Sequence, residues 1–579
     1  MSAPTPPLAP SRRRLETYPS TRARAGHFAL ITLVSTAVFY QVYVQGAVSP
    51  AIIADFSISL RTFVLVSIVG NAVGALAAWA SGLADRFGRV NLVLAGAASA
   101  AVLTGLVLPS TTSPTAYTAV YALLSLVGGV AIVATSALVR DFSPQLGRAT
   151  AMGLWAVGPS LGNLVVSVIT RRMLPGHPDW QYHYHVAGAI GAAVFVLAFV
   201  FLRELSPALR EQVMVSARER ALVEHRARQR AGETPAGAGT LGSMWRPVIV
   251  IPALGIALFL MFYVTRVGFF VLYFVANFGY TPAEANGLAT WYWVANVAAL
   301  VGAGVLSDRL GVRKPVMLVG SLASVVALAV FAQRATSTDT SYTTFVVLLV
   351  ALAVAGGMTS STWLAAFTET VERIDPTATA RGLAVYGSVV RGFVVITLIG
   401  FMSTVTAAGV LVDQGAKVGA LSTTYASELK TLAVVKPATM QRLREAPESR
   451  AARLAAMREL RAAGVPGTRA DRRDAVLAAA KVPPADLEYL ARNGPPVQDA
   501  AKRGPGEWQR WWWICLIGQL LVVPLSWRLH GRWSIRAARE DAAAHQRLVD
   551  DELRALLAAD DPGAGRGTDP DRAPEATPA

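Results

Sequence analysis

The sequence predicts an all-α polytopic membrane protein with twelve membrane-spanning helices in two pseudo-symmetric six-helix bundles and a helical external insertion. Three observations lead to this prediction. Hydrophobic residues make up 53% of the 579 residues, and charged residues only 16%. Apolar stretches of about 18 residues or more, the length at which a helix spans a bilayer, recur along most of the chain. A short charged string occurs twice between such stretches, which indicates an internal duplication.

The predicted spans are helices rather than barrel strands, because their apolar runs lack the alternation of a strand and only helices or closed barrels satisfy the backbone in lipid. The first run is too long for the core of a signal peptide, so we expect it to be retained. The twelve spans lie near 28–50, 61–83, 90–109, 116–138, 149–170, 184–202, 247–274, 285–306, 315–333, 343–367, 382–406 and 510–528.

The net charge of +16 follows from the topology and does not indicate a nucleic-acid partner. With the N-terminus in the cytoplasm, Lys and Arg concentrate in the cytoplasmic segments and tails and are scarce in the short external loops. This is the asymmetry that the positive-inside rule predicts. We therefore expect a multi-pass protein of the plasma (inner) membrane, surrounded by the lipid bilayer, with both termini cytoplasmic.

The repeated strings are SGLADRFGR at 81–89 and GVLSDRLGVRK at 304–314, and their aspartates Asp85 and Asp308 are 223 positions apart. Each string follows one predicted span and precedes the next. Other matched residues keep a similar separation, namely Gly128 and Gly356, Pro144 and Pro376, and Arg148 and Arg381. The duplication therefore extends over the whole half and is not limited to one loop.

An insertion interrupts the second half. Asp179-Trp180-Gln181 precedes the sixth span and Glu507-Trp508-Gln509 the twelfth, and this pair is separated by 328 positions. This separation is much larger than that of the other matched residues, which places the insertion at 409–507. We expect the insertion to form a small helical cap without disulfides, since the chain has one cysteine. The predicted division is a disordered cytoplasmic N-terminus (1–25), a first half (26–202), a cytoplasmic linker (203–246), a second half (247–530) that includes the insertion, and a cytoplasmic tail (531–579).

Together these features resemble the major facilitator superfamily of secondary transporters, over about residues 25–406 and 507–530. The two strings are similar to its loop motif after the second and eighth spans. The chain departs from the family pattern at Ser81, where glycine is usual, and in the fourth span. There Leu124 and Ser125 occupy the places of an arginine that is often tied to proton coupling.

The resemblance implies a set of charged gating residues on the cytoplasmic side. Asp85 would face Arg381 at the start of the eleventh span, and Asp308 would face Arg148 at the start of the fifth. These contacts would close the cytoplasmic side and break when it opens. The remaining charged residues assigned to this gate are Arg86, Arg89 and Arg309.

Two arginines lie at mid-membrane depth, Arg266 in the seventh span and Arg391 in the eleventh. Charged residues at that depth are costly and usually functional. No Asp or Glu lies at a comparable depth of the predicted spans, so the arginines favour an anionic substrate, most simply a carboxylate. The alternative is a structural role, in which they bond to helix carbonyls. The polar and aromatic residues expected around them are Tyr40, Tyr43, Tyr263, Trp291, Tyr292 and Asn296.

The leading hypothesis is a secondary active transporter that works by rocker-switch alternating access and moves a small organic anion with or against protons. One alternative is an efflux pump for amphipathic compounds. Another is a membrane sensor or scaffold that acts through the insertion. The sequence contains no phosphate-binding loop, nucleotide motif, catalytic triad or metal cluster, so we expect no enzyme activity, cofactor or metal, and a chain that acts as a monomer.

Overall fold

The computed structural model describes residues 13–77, 87–142, 154–206, 208–209, 244–337, 339–374, 379–531 and 533–559. The helices of the first half are α1 (Thr21–Ala47), α2 (Ser49–Asp55), α3 (Leu60–Ala75), α4 (Arg89–Val102), α5 (Pro114–Phe142), α6 (Gly158–Met173) and α7 (Trp180–Phe201). Those of the second half, before the insertion, are α8 (Pro247–Phe259), α9 (Met261–Phe278), α10 (Pro282–Leu310), α11 (Lys314–Arg334), α12 (Tyr342–Ile374) and α13 (Thr379–Thr404).

The insertion and the C-terminal part are also helical. They form α14 (Thr406–Val410), α15 (Ala416–Thr424), α16 (Ala426–Val434), α17 (Pro437–Glu445), α18 (Arg450–Ala462), α19 (Arg469–Lys481), α20 (Pro484–Leu525) and α21 (Ile535–Ala559). The helices α16 to α19 share a small apolar core of their own, which consists of Val435, Met440, Leu443, Ala452, Ala456, Leu460, Val476 and Ala479.

The predicted all-helical membrane fold is confirmed. Within the described residues, nine helices are long and apolar enough to span a bilayer, with α8 and α9 taken as one span. A tenth span would be the pair α2 and α3, which is bent by 116°. Helix α6 and the last part of α20 lie within the regions of the predicted spans 149–170 and 510–528, but neither is among the nine.

The most extensive contacts between the two halves are those of three pairs of helices. The pairs are α1 with α9, α3 with α13, and α6 with α10, and in each pair one helix comes from each half. Within the first half, α1 packs on α6 and α7, and α5 packs on α3 and α4. In the second half, α12 packs on α10 and α11, and α20 packs on α8 and α11. The two bundles thus enclose a central axis that both halves line.

Two glycines allow the closest helix contact in the first half. A π-helical turn at Leu103–Val107 continues α4, and Gly105 in this turn faces Gly188 of α7. A Cβ atom on Gly188 would lie only 2.1 Å from the Cα of Gly105. Small residues at such a contact let two backbones approach in a membrane, where van der Waals packing supplies much of the attraction between helices.

The N-terminal segment differs from the expectation of disorder over residues 1–25. Strand β1 (Arg14–Leu15) pairs in parallel with strand β2 (Glu204–Leu205), directly after α7. The guanidinium of Arg13 lies 4.0 Å from the centre of the Phe199 ring. Backbone pairing and a cation–π contact thus place Arg13 to Leu15 on the first half, and α1 begins at Thr21 within the same segment. Most of the predicted linker 203–246 lies outside the described residues.

The Gly105–Gly188 contact predicts a specific loss of stability. Substitution of Gly188 by Ala should lower the thermal midpoint of the purified protein, because the added methyl group separates α4 from α7 at a cost of about 1–3 kcal/mol. The matched control is Gly392→Ala in α13, where a Cβ atom meets nothing within 4 Å. That control should be neutral or stabilising, since alanine is the better helix former. Equal midpoints for the two variants, measured by size-exclusion chromatography after heating, would contradict the close contact.

Candidate substrate site and gating loops

Arg266 lies in α9, one and a half turns after the break that separates α8 from α9. The residue is only 3% exposed. Its Nε, Nη1 and Nη2 atoms are buried and have no hydrogen-bond partner among the residues that the structure describes. Leaving a buried charge without a partner is strongly unfavourable. The guanidinium therefore has a large unused capacity to bind an anion.

Aromatic rings surround this guanidinium. Its Cζ atom lies 3.4 Å from the ring centre of Tyr292, 3.9 Å from that of Trp293 and 5.3 Å from that of Tyr263. Tyr292 and Trp293 come from α10 and Tyr263 from α9, and the rings of Tyr263 and Trp293 meet edge to face at 84°. These cation–π contacts hold the charge in position. They satisfy none of its N–H groups, which stay available for a carboxylate.

A chain of contacts connects the two predicted arginines across both halves. The Tyr43 side chain of α1 lies close to that of Tyr263 and interacts with it electrostatically, and Tyr263 interacts in the same way with Arg266. Tyr43 also interacts electrostatically with Arg391 of α13. Arg391 is half-buried, and its Nη1 donates a long hydrogen bond of 3.4 Å to the carbonyl oxygen of Ala75 in α3. The structure thus brings together five of the predicted site residues, namely Tyr43, Tyr263, Arg266, Tyr292 and Arg391. Of the two arginines, Arg391 has a protein acceptor for its guanidinium, whereas Arg266 has none among the described residues.

The other predicted site residues lie elsewhere. Tyr40 is 1% exposed and packs in the first half with Val166 and Ala187. The Nδ2 atom of Asn296 donates to the carbonyl of Ala353 at 3.1 Å, and its Oδ1 accepts from the Ser160 hydroxyl at 2.9 Å. Asn296 therefore ties α10 to α12 and to α6 of the other half, and both ends of its amide are engaged.

Trp291 is 48% exposed, whereas its neighbours Tyr292 and Trp293 are buried against Arg266. Sequence reasoning missed Trp293. A signal was present, since Tyr292 and Trp293 precede the buried Asn296 by four and three positions and so share its helix face. Trp291 lies outside the helix face that these three residues share.

The gating residues are only partly described. Asp85, Arg86 and Arg148 lie outside the described residues, and so does the side chain of Arg381, although its backbone belongs to α13. The expected contacts of Asp85 with Arg381 and of Asp308 with Arg148 therefore stay predictions. Arg89 is described, and its Nη1 lies 2.5 Å from the Asp141 carboxylate at the end of α5.

The second loop has a matching arrangement, centred on a residue that was not assigned to the gate. The guanidinium of Arg313 contacts the carboxylate of Asp308 at 2.5 Å and that of Glu369 at 3.0 Å. Burial by itself lowers the pKa of Arg313, but Glu369 and Asp308 outweigh it and leave the pKa raised. Arg309 is exposed. The pair Arg313–Glu369 corresponds to Arg89–Asp141. In each half, an arginine of the repeated loop thus forms an ion pair near the C-terminal end of a later helix, which is α5 in the first half and α12 in the second.

Two related helical halves around a central axis are the architecture of many secondary transporters. The chain belongs to the Major Facilitator Superfamily, whose family model matches residues 31–275 and 254–416. This match confirms the resemblance inferred from the repeated loops. The protein is a multi-pass transporter and not an enzyme.

Solved structures give weaker likenesses. A bacterial homologue of the human lysosomal transporter Spinster, inward-facing and unoccupied, is 15% identical over 84% of this chain and 99% of its own, with a TM-score of 0.49. A D-xylose–proton symporter is 15% identical over 65% of this chain and 88% of its own, also with a TM-score of 0.49. These likenesses carry no argument about cargo. Comparison with curated proteins finds no match.

The unpaired state of Arg266 predicts an unusual effect on stability. Arg266→Met removes an uncompensated buried charge from the ligand-free protein. We therefore expect the free energy of unfolding to stay the same or to rise by about 1–3 kcal/mol, and the thermal midpoint to follow it. Arg313→Met is the matched control, and it should lower the midpoint because it breaks two ion pairs. A clear destabilisation by Arg266→Met, measured in the same detergent without added anions, would mean that the guanidinium has a partner in the protein.

Proposed function

We propose that the protein is a secondary active transporter of a small organic anion, which it moves by rocker-switch alternating access. One observation supports an anionic cargo above all others. The guanidinium of Arg266 is 3% exposed and has no hydrogen-bond partner in the described residues. A binding site that keeps such a charge incurs a cost in stability. An anion that enters the site offsets the cost, and this gives the site selectivity for anions.

The charges around the site favour a cargo with one carboxylate. Arg266 forms no ion pair with an acidic side chain among the described residues, and Arg391 adds a second, half-buried cation. A guanidinium binds a carboxylate through two parallel hydrogen bonds, which fixes both the position and the orientation of the anion. The rings of Tyr263, Tyr292 and Trp293 form an apolar wall next to this donor. The preferred cargo therefore combines a carboxylate with an apolar body.

The contact between Tyr43 and Tyr263 supports a link between binding and movement. Tyr43 belongs to the first half and Tyr263 to the second, and Tyr263 lies beside Arg266. An anion bound at Arg266 changes the electrostatic surroundings of this pair. Occupancy of the site can therefore alter a contact that both halves share, as alternating access by rocking of two bundles requires.

Anion binding is tested with purified protein and with proteoliposomes. We expect a set of monocarboxylates of increasing apolar size, from acetate to benzoate, to raise the thermal midpoint of the wild type, because binding to the native state stabilises it. Arg266→Met should abolish both this shift and uptake. Arg266→Lys, which keeps the charge but loses the bidentate geometry, should lower uptake by about tenfold, which corresponds to the loss of one charged hydrogen bond.

Two results would contradict this function. Undiminished carboxylate uptake by Arg266→Met would remove Arg266 from the site. The absence of any shift in the wild type across the carboxylates, together with a shift by amphipathic cations, would favour efflux of amphipathic compounds. Trp291→Phe serves as a control for damage to α10, because Trp291 is exposed and is not one of the three rings recorded over the guanidinium.

Proton coupling is a separate part of the proposal. Since no acidic side chain pairs with Arg266 in the described residues, we propose that the proton travels on the substrate itself. An imposed pH gradient should then drive carboxylate accumulation in proteoliposomes, and a protonophore should abolish it. Accumulation that depends on an exchanged anion, and is insensitive to the protonophore, would contradict coupling to protons but not the anion site.

A further inference from the structure

The insertion is joined to the second half by one continuous helix. α20 is 42 residues long and runs from Pro484 in the insertion to Leu525 at the end of the predicted twelfth span, about 63 Å at the rise of an α-helix. Its last part packs on α8 and α11 of the second half, and its first part supports α15 of the insertion. The base of the insertion must therefore move with the second half.

A buried carboxylate connects the end of the insertion, in α20, to its beginning, in α14. Glu507 of α20 has a side chain that is 4% exposed, and it accepts hydrogen bonds from the backbone N–H of Ala407 at 2.6 Å and from the Thr406 hydroxyl at 3.1 Å. Thr406 and Ala407 begin α14, where the chain leaves α13. The entrance and the exit of the insertion are thus tied to each other at a single point.

The insertion also contacts the first half. After α14 the chain forms a π-helical turn, Leu411–Gly415, that packs on α2 and α9. Within this turn the carboxylate of Asp413 accepts a hydrogen bond of 2.8 Å from the backbone N–H of Leu60. Burial raises the pKa of Asp413 and the bond from Leu60 opposes this rise, so the carboxylate is partly withdrawn from water at this contact.

Leu60 is the first residue of α3, and the N–H groups in the first turn of a helix have no acceptor within the helix. Ser59 satisfies the N–H of Thr62 from within the first half. Asp413 satisfies that of Leu60 from the second half, and its negative charge is favourable at this positive end of the helix dipole. The cap of α3 is therefore shared between the two halves.

Further contacts close the same end of the bundle. Asn286 of α10 donates from its Nδ2 to the carbonyl of Ala47 in α1 at 3.1 Å. Gly46 approaches α9 so closely that a Cβ atom would lie 2.3 Å from the carbonyl oxygen of Val267. The halves thus touch at the insertion side of the central axis. Opening of this side in a rocking motion must break the bond between Asp413 and Leu60.

We propose that the insertion is a gating element of the transporter, and that Asp413 is the residue through which it holds the insertion side closed. The insertion follows the second half through α20 and Glu507, and its π-helical turn engages the first half. Removal of the carboxylate favours the state that is open on this side. This inference rests on the alternating access proposed above, but it does not depend on the identity of the cargo.

The test measures the distance between the halves directly. Cys515→Ser gives a background without cysteine, because the chain has only one. Spin labels at the exposed positions Thr115 of α5 and Ala420 of α15 then report the separation of the first half and the insertion by double electron–electron resonance in full-length protein. The variants are Asp413→Ala, which removes the acceptor, and Asp413→Asn, which keeps an oxygen but loses the charge. The control is Asp474→Ala, an exposed carboxylate that pairs only with its neighbour Arg473 among the described residues.

A second pair of variants tests the donor and leaves Asp413 intact. Leu60→Pro removes the N–H at the first position of a helix, where proline is well tolerated and where Ser59 already has an extended backbone. Leu60→Ala is its control for lost side-chain packing. The comparison keeps the test valid if Asp413→Ala folds poorly, because each partner of the bond is removed separately.

We expect Asp413→Ala to lower the ratio of the short-distance to the long-distance population by about fivefold, the effect of a lost helix cap, with a smaller change for Asp413→Asn. Leu60→Pro should lower the ratio relative to Leu60→Ala, and the double variant Asp413→Ala, Leu60→Pro should add no further change. Distance distributions of Asp413→Ala and Leu60→Pro equal to those of their controls would overturn the proposal. A single distance in every variant would contradict alternating access itself, whereas a shift without carboxylate uptake would contradict only the cargo.

Discussion

The burial of one charge, the guanidinium of Arg266, is the constraint on which the functional interior depends. A cation at this depth is tolerated only if rings or dipoles hold it and a counter-charge can reach it. The rings of Tyr292 and Trp293 hold the cation, with ring centres 3.4 and 3.9 Å from its Cζ atom. No hydrogen-bond acceptor among the described residues takes the place of a counter-charge. The N–H groups of Arg266 therefore have no acceptor among the described residues, which is the basis of the proposed anion site. The same reasoning separates Arg266 from Arg391, which already donates to the Ala75 carbonyl.

The duplicated halves have a common plan with one asymmetric addition. Arg89 with Asp141 and Arg313 with Glu369 repeat one ion pair at corresponding places, so each loop is fastened within its own half. The contacts between halves are of another kind, because each involves one helix from either bundle. The insertion adds to these contacts on one side only. This asymmetry is the basis of the gating role proposed for the insertion.

The sequence shows which residues are charged or polar within a span, but not which of them face one another in the folded protein. Arg266, Arg391, Tyr43, Tyr263 and Tyr292, which the structure brings together, could be proposed from the sequence because a charge or a polar ring in an apolar span is visible there. Trp293 was missed in favour of Trp291 because adjacent positions on a helix differ by about 100° in direction, and the facing helix decides which one is buried. Asn296 was assigned to the substrate, whereas its bonds to Ser160 and Ala353 depend on helices that are distant in sequence.

By itself the sequence determined the helical membrane fold and the family, and it predicted the duplication and the place of the insertion. These follow from the length and periodicity of apolar runs and from repeated residues, which are local properties of the chain. Only the tertiary structure decided which buried polar groups have partners and which contacts bridge the halves. The bond between Asp413 and Leu60 spans 353 positions, and no local pattern encodes it. Whether a charge is satisfied depends on atoms within about 3 Å, and folding brings these together from several helices.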